Sequence, residues 1–184
     1  MALIETPICN FGEKAKDFKL LSVENKKISL NDIQGESGTL IMFICNHCPY
    51  VKAIIKDLVD DVKFLEKLGI RAAAIMSNDV KNYPDDSFEN MVSFSKYNNF
   101  SFPYLIDESQ TVAKEYGAVC TPDFFGYNKN LELQYRGRIR ELKNLKPIGL
   151  GNSDLRNALK SVAETGQGPK EQIPSMGCSI KWFK

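Results

Sequence analysis

The chain has 184 residues, of which 43% are hydrophobic and 26% charged, as expected for a globular domain with a substantial core. Its 24 basic and 23 acidic residues nearly cancel, which argues against nucleic acid or another highly charged partner. No run approaches the roughly 18 apolar residues of a membrane span, and the N-terminus lacks the basic and apolar segments of a secretory signal. We therefore expect one domain over residues 1–184, a cytoplasmic protein, and no nucleic-acid or membrane partner.

The first half of the chain predicts a hairpin followed by a strand–helix unit. Residues 1–17 show little periodicity and are predicted to form an irregular lead-in. Residues 18–30 are typical of a β-hairpin, and residues 39–44 are a continuous apolar run, as in a central strand covered on both faces. Apolar side chains then recur at helical spacing over residues 49–68, and Gly69 is a suitable stop.

Strands and helices continue to alternate after this unit. A strand is predicted over residues 70–76, and Ser87 is a suitable N-cap for a helix that ends near residue 97. A short strand over residues 102–106 and a short helix over residues 109–116 follow, the helix ending at Gly117. This alternation requires parallel strands with crossover helices.

The last part of the chain adds antiparallel strands, one helix and a tail. Residues 124–127 and 131–135 are typical of a second hairpin, and Ser153 precedes a helix over residues 154–163. The tail, residues 165–184, contains apolar side chains that a disordered segment would not be expected to hold, so we expect it to dock on the domain. The predicted fold class is α/β, with a mixed central β-sheet flanked by helices on both faces.

Two cysteines stand at the junction of the strand 39–44 and the helix 49–68, in the sequence Cys45-Asn46-His47-Cys48-Pro49. Free backbone N–H groups and the helix dipole stabilise an anion at a helix N-terminus. We therefore expect the pKa of Cys45 to fall below the value of about 8.5 of a free thiol, which would make Cys45 the nucleophile. Cys48, one turn inside the helix, would be the resolving thiol, and Pro49 suits the first turn because its missing N–H is not needed there.

The alternative interpretation of two cysteines at this spacing is half of a zinc site. A complete site needs two further ligands, and the other three cysteines are isolated in the sequence: Cys9, Cys120 and Cys178. A copper site would need a distant histidine, and the chain has a single histidine within the motif. Redox chemistry is therefore favoured, with no metal and no organic cofactor.

With these residues the chain resembles the thioredoxin-like superfamily, and within it bacterial proteins of the thioredoxin and alkyl-hydroperoxide-reductase (AhpC/TSA) type that carry Cys-Asn-His-Cys-Pro. The similarity spans residues 11–182. It rests on the strand–Cys-x-x-Cys–helix junction, on an extra helix–strand unit after the second strand, and on Cys120-Thr121-Pro122 at the start of a hairpin. The resemblance implies a thioredoxin-like fold with an N-terminal β-hairpin, this inserted helix–strand unit and a C-terminal tail.

The resemblance also implies roles for residues outside the cysteine pair. Pro122 would be a cis proline facing the active-site cysteines, and the backbone of Thr121 before it would pair with an extended substrate chain. Asn46 and Pro49 join Thr121 as candidate substrate-binding residues.

His47 and Cys178 are the remaining candidates for the catalytic group. A donor at His47, between the two sulfurs, would stabilise the Cys45 thiolate and make the couple more oxidising than that of a thioredoxin. Relatives with the same motif end in a similar Gly-Cys-Ser-Ile-Lys-Trp stretch, which makes Cys178 a candidate third redox position, with a docked but inert thiol as the alternative. Cys120 is more simply explained as a buried structural cysteine.

Three functions are open at this point. The first is a thiol-disulfide oxidoreductase, which would act on protein or small-molecule thiols and disulfides with a thiol reductant as its partner. The second is a peroxiredoxin-like thiol peroxidase with Cys48 attacking a peroxide and Cys45 or Cys178 resolving, although Cys45 replaces the threonine that positions the peroxide in that family. The third is a redox sensor or binding module that uses the disulfide as a switch. The sequence does not predict the oligomeric state.

Overall fold

The computed structural model describes residues 3–149 and 153–184. Its strands, in chain order, are β1 (Leu3–Glu5), β2 (Lys19–Ser22), β3 (Lys27–Ser29), β4 (Gly38–Phe43), β5 (Ile70–Met76), β6 (Tyr104–Ile106), β7 (Cys120–Thr121), β8 (Asp123–Asn128), β9 (Leu133–Tyr135), β10 (Leu142–Lys143), β11 (Lys146–Pro147) and β12 (Met176–Ser179). The α-helices are α1 (Pro49–Glu66), α2 (Phe88–Tyr97), α3 (Thr111–Tyr116) and α4 (Asp154–Thr165).

A seven-stranded sheet forms the centre of the molecule, in the order β3-β2-β6-β5-β4-β8-β9. The strands β4, β5 and β6 are parallel, and all other neighbouring pairs of this sheet are antiparallel. A second sheet, in the order β1-β12-β7, joins the two ends of the chain to the segment just before β8. The central sheet is therefore mixed, as the alternation of strands and helices predicts.

Both faces of the central sheet are covered, and β4 shows why its sequence is apolar throughout. Leu40 and Met42 point into the cluster formed with α1 and α4, whereas Ile41 and Phe43 point into the cluster formed with α3. All four side chains are buried, because successive side chains of a strand alternate between two faces that are both covered. The predicted fold class, with helices on both faces of a mixed sheet, is confirmed.

The lead-in differs from the prediction. Residues 3–5 form the strand β1, which pairs antiparallel with β12, and Lys14 bridges to Glu132. Residues 1 and 2 of the lead-in lie outside the described residues. A strand of three residues shows no periodicity in the sequence, and its pairing partner lies at the opposite end of the chain, so the local pattern gave no signal for it.

A buried polar contact fixes α4 against α1, the helix that follows the cysteine motif. Ser153, the N-cap of α4, accepts a hydrogen bond from the backbone N–H of Arg156 and donates one to the buried carboxylate of Asp61 on α1. The guanidinium of Arg156 pairs with the other oxygen of Asp61 at 2.7 Å. Ser153 therefore caps α4 and also binds α4 to α1.

Among the helices of residues 3–149 and 153–184, none combines the length and the apolar character that a membrane crossing requires.

We expect Ser153→Ala to lower the free energy of unfolding by about 2 kcal/mol, because α4 loses its cap and the buried Asp61 loses a donor. Urea denaturation monitored by circular dichroism measures this change. Ser161→Ala removes a more exposed hydroxyl from the same helix and serves as the control, with an expected change within about 0.5 kcal/mol. Equal losses for the two variants would contradict this account of the contact.

Candidate active site

Cys48 is the N-cap residue of α1, and Pro49 occupies the first turn. The Cys48 side chain has no exposed surface, and the nearby backbone N–H of Val51 lowers the pKa of its thiol, although the side chain forms no capping hydrogen bond with the helix. This N–H is one of the donors that a helix leaves unpaired at its first turn. The prediction that Cys48 lies one turn inside the helix is therefore wrong: because the helix starts at Pro49, the sulfur at its N-terminus is that of Cys48.

Cys45 lies in the short segment between β4 and α1 and is 1% exposed. Its sulfur is 3.4 Å from the Thr121 hydroxyl and 3.9 Å from Nδ1 of His47. It also forms a hydrogen bond with the Cys48 sulfur. Cys45 is therefore the neighbour of the N-cap residue Cys48 rather than the N-cap itself.

The two sulfurs have pKa values that are shifted in opposite directions. The pKa of Cys48 is lowered by hydrogen bonding with Cys45, by the nearby N–H of Val51, and by hydrogen bonding with Thr121 and Cys178. In its thiol form Cys48 also donates to the Thr121 carbonyl at 3.1 Å, and the thiolate loses that one contact. The pKa of Cys45 is raised by its bond to Cys48, by burial and by the charge of Asp86. The expectation of a Cys45 thiolate is therefore not supported, and the favoured thiolate is Cys48.

Thr121 and Pro122 lie against the two sulfurs, and the peptide bond between them is cis, as the resemblance implies. The backbone of Thr121, however, does not face an open cleft. It pairs antiparallel with Cys178 of β12, and Ser179 pairs with Cys120. The strand position that the resemblance reserves for a substrate chain is occupied by the tail of the protein itself.

This pairing brings Cys178 to the site. Its thiol forms a hydrogen bond with the Cys48 sulfur, and the Cys178 side chain is 4% exposed. Burial and the neighbouring Cys48 sulfur raise the pKa of Cys178 to about 12. Cys48 thus has a thiol neighbour on each side, Cys45 from its own loop and Cys178 from the tail. Cys120 is also buried, but its sulfur contacts the Pro122 carbonyl.

His47 forms an ion pair with Asp86, a residue that the sequence analysis did not assign to the site. Nδ1 of His47 lies 2.6 Å from the Asp86 carboxylate, which has no exposed surface. The hydrogen bond that His47 donates to Asp86 raises the pKa of His47. The ring of Tyr83 stacks on the imidazole at 6.0 Å between centroids. The pairing with Asp86 therefore favours the charged form of His47 beside the cysteine pair.

The Asp86 carboxylate is fixed by several donors besides His47. The backbone N–H of Asn46 donates to it at 2.8 Å, and the side-chain amide of Asn78 at 2.8 Å. Burial alone would raise the pKa of Asp86, but these donors and His47 lower it. Asn46 itself is buried, and its side chain is bound by Tyr104 and by the carbonyl of Asp85. Asn46 therefore holds the loop in place rather than facing a substrate.

Three side chains of the site could hold a metal ion in principle. Cys45, His47 and Asp86 each offer one donor atom, and these atoms lie within 4.8 Å of one another. Two ligands on one tetrahedral zinc ion stand about 3.3 Å apart, given zinc–ligand distances near 2 Å. The 2.6 Å between His47 and Asp86 is a direct hydrogen bond and leaves no room for an ion between them. The observed geometry is that of an ion pair.

Comparisons with known proteins identify a family over most of the chain. The AhpC/TSA family model matches residues 11–142. A curated protein of Coxiella burnetii (strain RSA 493 / Nine Mile phase I), named "Putative peroxiredoxin bcp", is 27% identical over 115 residues, which are 62% of this chain and 71% of that protein.

Solved structures extend the similarity over the whole chain. An "uncharacterized conserved protein" of Geobacillus kaustophilus is 39% identical, with a TM-score of 0.93 over 100% of this chain and 97% of that one. A hypothetical protein of Sinorhizobium meliloti 1021 is 34% identical, with a TM-score of 0.91 over 97% of each chain. The thioredoxin domain of a thiol-disulfide oxidoreductase of Bacteroides vulgatus is 14% identical, with a TM-score of 0.58 over 73% of this chain and 89% of that one, and it shows the shared fold alone.

We expect Cys48 to react as a thiolate with a midpoint near pH 5. The measurement is the pH dependence of iodoacetamide labelling, followed at each cysteine by peptide mass spectrometry. Cys45→Ala removes the largest source of the low pKa and should move the midpoint of Cys48 upwards. Cys120→Ala, at the buried thiol that contacts Pro122, should leave it unchanged. Labelling of Cys45 at a lower pH than Cys48 would contradict the assignment.

We expect His47→Ala to lower the reduction potential of the site. The Cys48 thiolate raises the pKa of His47, and by reciprocity a charged His47 stabilises the thiolate and hence the reduced form. Redox titration in glutathione buffers gives the potential of each variant. Tyr83→Leu removes the stacked ring but no charge and should leave the potential close to that of the wild type. An unchanged potential in His47→Ala would remove the proposed electrostatic role of this histidine.

Proposed function

The chain belongs to the AhpC/TSA family, and from this membership we propose that it is a thiol-disulfide oxidoreductase whose attacking group is the Cys48 thiolate. The family and the curated relative named a peroxiredoxin support an oxidoreductase in general terms. The single observation that carries the finer proposal is the position of Cys48: it is the N-cap residue of α1, and its sulfur lies between the thiols of Cys45 and Cys178. These roles reverse those expected from the sequence, where Cys45 attacks and Cys48 resolves.

The reaction begins with attack of the Cys48 thiolate on one sulfur of a substrate disulfide. A mixed disulfide forms between Cys48 and half of the substrate, and the other half leaves as a thiolate that takes up a proton. The thiol of Cys45 or Cys178 then loses its proton and attacks the Cys48 sulfur, which releases the second half of the substrate as a thiol. One substrate disulfide is reduced and one protein disulfide forms, and an external thiol reductant restores the protein dithiol.

The side chains of the site support this sequence of steps in different ways. The N–H of Val51 stabilises the negative charge on Cys48, while the high pKa values of Cys45 and Cys178 keep both resolving groups as thiols until Cys48 is oxidised. His47 lies 3.9 Å from Cys45, and its charged form, which the pairing with Asp86 favours, stabilises negative charge on the neighbouring sulfurs. We propose the cytoplasm as the location of the protein, where a thiol reductant would restore the dithiol after each turnover.

A thiol peroxidase is the second candidate function, and the junction of Cys48 with Pro49 at the start of α1 favours it. In this case the Cys48 thiolate attacks one oxygen of a peroxide and becomes a sulfenic acid, while the other oxygen leaves and is protonated to an alcohol or water. Cys45 or Cys178 then attacks the oxidised sulfur, water is released, and the same protein disulfide forms. The relative named a peroxiredoxin supports this candidate at 27% identity.

We expect Cys48→Ser to abolish disulfide reduction, with a loss of about 10²-fold or more, because it removes the attacking sulfur. Cys45→Ser and Cys178→Ser should keep the first attack in single-turnover experiments, and whichever is the resolving residue should lose multiple turnover. Reduction of glutathione disulfide and consumption of hydrogen peroxide, measured in parallel, separate the two candidate functions. Cys120→Ser is the matched control and should behave as the wild type.

Disulfide mapping by mass spectrometry after one equivalent of oxidant identifies the resolving cysteine. A bond from Cys48 to Cys45 or to Cys178 is the expected result. A first attack that survives in Cys48→Ser and disappears in Cys45→Ser would contradict the proposed roles. A large structural change on oxidation with no turnover of either substrate would instead favour a redox sensor.

A further inference from the structure

The strand β12 covers the sulfur cluster. Cys178 of β12 pairs with Thr121, the residue whose carbonyl and hydroxyl contact Cys48 and Cys45. The side chains of Cys45, Cys48 and Cys178 are 1%, 0% and 4% exposed. A partner that is to reach the Cys48 sulfur along Thr121 therefore meets the backbone of β12 first.

The strand β12 is held in the fold along both of its edges. β12 is the central strand of its sheet, with β1 on one side and β7 on the other. At Gly177 the backbone approaches so closely that a Cβ atom would stand 2.0 Å from the Thr121 carbonyl oxygen. Just before the strand, Ser175 donates its hydroxyl hydrogen bond to the Pro122 carbonyl at 2.8 Å. These contacts hold β12 directly over the cis-proline segment.

Buried polar contacts anchor the chain that follows β12. The backbone N–H of Lys181 donates to the side-chain carbonyl of Asn78 at 2.8 Å. The fully buried Gln110 donates to the Lys181 carbonyl at 2.8 Å and accepts from the Phe183 N–H at 2.9 Å. Loss of β12 from the site would leave these buried groups without partners, which is costly.

We propose that β12 restricts this site to small electrophiles, namely low-molecular-weight disulfides or peroxides, and excludes disulfides of folded proteins. The proposal rests on the proposed function, since it takes Cys48 as the attacking sulfur. A small molecule does not need to pair with the backbone of Thr121, so it can approach the sulfur through side-chain movements while β12 stays paired. A protein segment, which would need the backbone of Thr121, has to remove the whole strand from a sheet in which both of its edges are paired.

A groove beside the cis-proline segment has the size that such a substrate needs. It has a volume of about 460 Å³ and is bordered by Tyr50 at the start of α1, by Pro122, and by Ser175 and Met176 of the tail. Pockets for small ligands have volumes of about 300–1,000 Å³. The three sulfurs do not border this groove, so a small disulfide bound beside Pro122 would reach Cys48 only after side chains move, but β12 could stay in the sheet.

The first test uses the complete wild-type chain. We expect Cys48-dependent reduction of glutathione disulfide or of hydrogen peroxide, and reduction of insulin that is slower by about tenfold or more. In a Cys9→Ser background, which removes the partly exposed thiol, iodoacetamide should label Cys48 and a maleimide linked to polyethylene glycol should not. Equal rates with insulin and glutathione disulfide, or labelling of Cys48 by the polymer reagent, would overturn the proposal.

The second test weakens the pairing of β12 with β7. Gly177→Val places a branched side chain against the Thr121 carbonyl, so the paired state of β12 loses population and hydrogen exchange of residues 176–179 accelerates. We expect insulin reduction to rise by about tenfold or more, with a smaller effect on glutathione disulfide. Leu3→Val, an exposed substitution on β1, is the control and should leave both rates unchanged.

The outcomes separate the two proposals. If neither small substrate reacts in a Cys48-dependent way, the proposed function fails. If the small substrates react and Gly177→Val leaves insulin reduction unchanged although β12 exchanges rapidly, the proposed function stands and the restriction by β12 is refuted. If Gly177→Val does not fold, the comparison of the two labelling reagents on the wild-type fold decides.

Discussion

The geometry of the site depends on one constraint, the contact between the Cys48 sulfur and the backbone of Thr121. β4 and β8 are neighbours, and Phe43 at the end of β4 pairs with Asp123 at the start of β8. The cysteine pair, which follows β4, and the segment Thr121–Pro122, which precedes β8, therefore lie at the same end of these two neighbouring strands. Because two paired strands hold these segments, the Cys48 thiol and the Thr121 carbonyl are in contact without a flexible connection. The sulfurs of Cys45 and Cys178 lie around this contact.

A buried carboxylate contributes to the difference in pKa between the two motif cysteines. Asp86 has no exposed surface, so its charge must be balanced inside the protein, and His47 together with the amides of Asn46 and Asn78 does so. The contact with Cys48, burial and the negative charge of Asp86 raise the pKa of Cys45, whereas Cys45 and the N–H of Val51 lower the pKa of Cys48. Opposite pKa shifts in neighbouring groups distinguish the attacking group from the resolving one.

The sequence was sufficient for those features that local patterns encode. The apolar run of β4, the periodicity of α1, and the caps Ser87 and Ser153 are written in consecutive residues, and the structure places each of them as predicted. The start of α1 at Pro49 was also predicted correctly, and the critical error was the placement of Cys48 one turn inside the helix, because the residue directly before the first helical residue is the N-cap. Asp86 was missed for a different reason: it reaches His47 from 39 residues away, through a loop whose polar composition resembles a solvated one. The pairing of β12 with β7 is likewise a long-range contact that no local pattern specifies.

The three sulfurs lead to a form of selectivity that depends on access rather than on recognition. In the proposed mechanism the Cys48 thiolate reacts with any disulfide that reaches it, so the chemistry at Cys48 does not discriminate between substrates. On this proposal, discrimination comes from the cost of reaching the sulfur, and that cost is set by β12, which is paired on both edges and anchored through Gln110 and Asn78. Because Cys178 belongs to this same strand, the segment that restricts access also supplies a thiol to the Cys48 sulfur. Removing the strand to admit a large substrate would also remove one of the two thiols that can close a disulfide with Cys48, so the small-substrate reaction is the one for which all three sulfurs are in place.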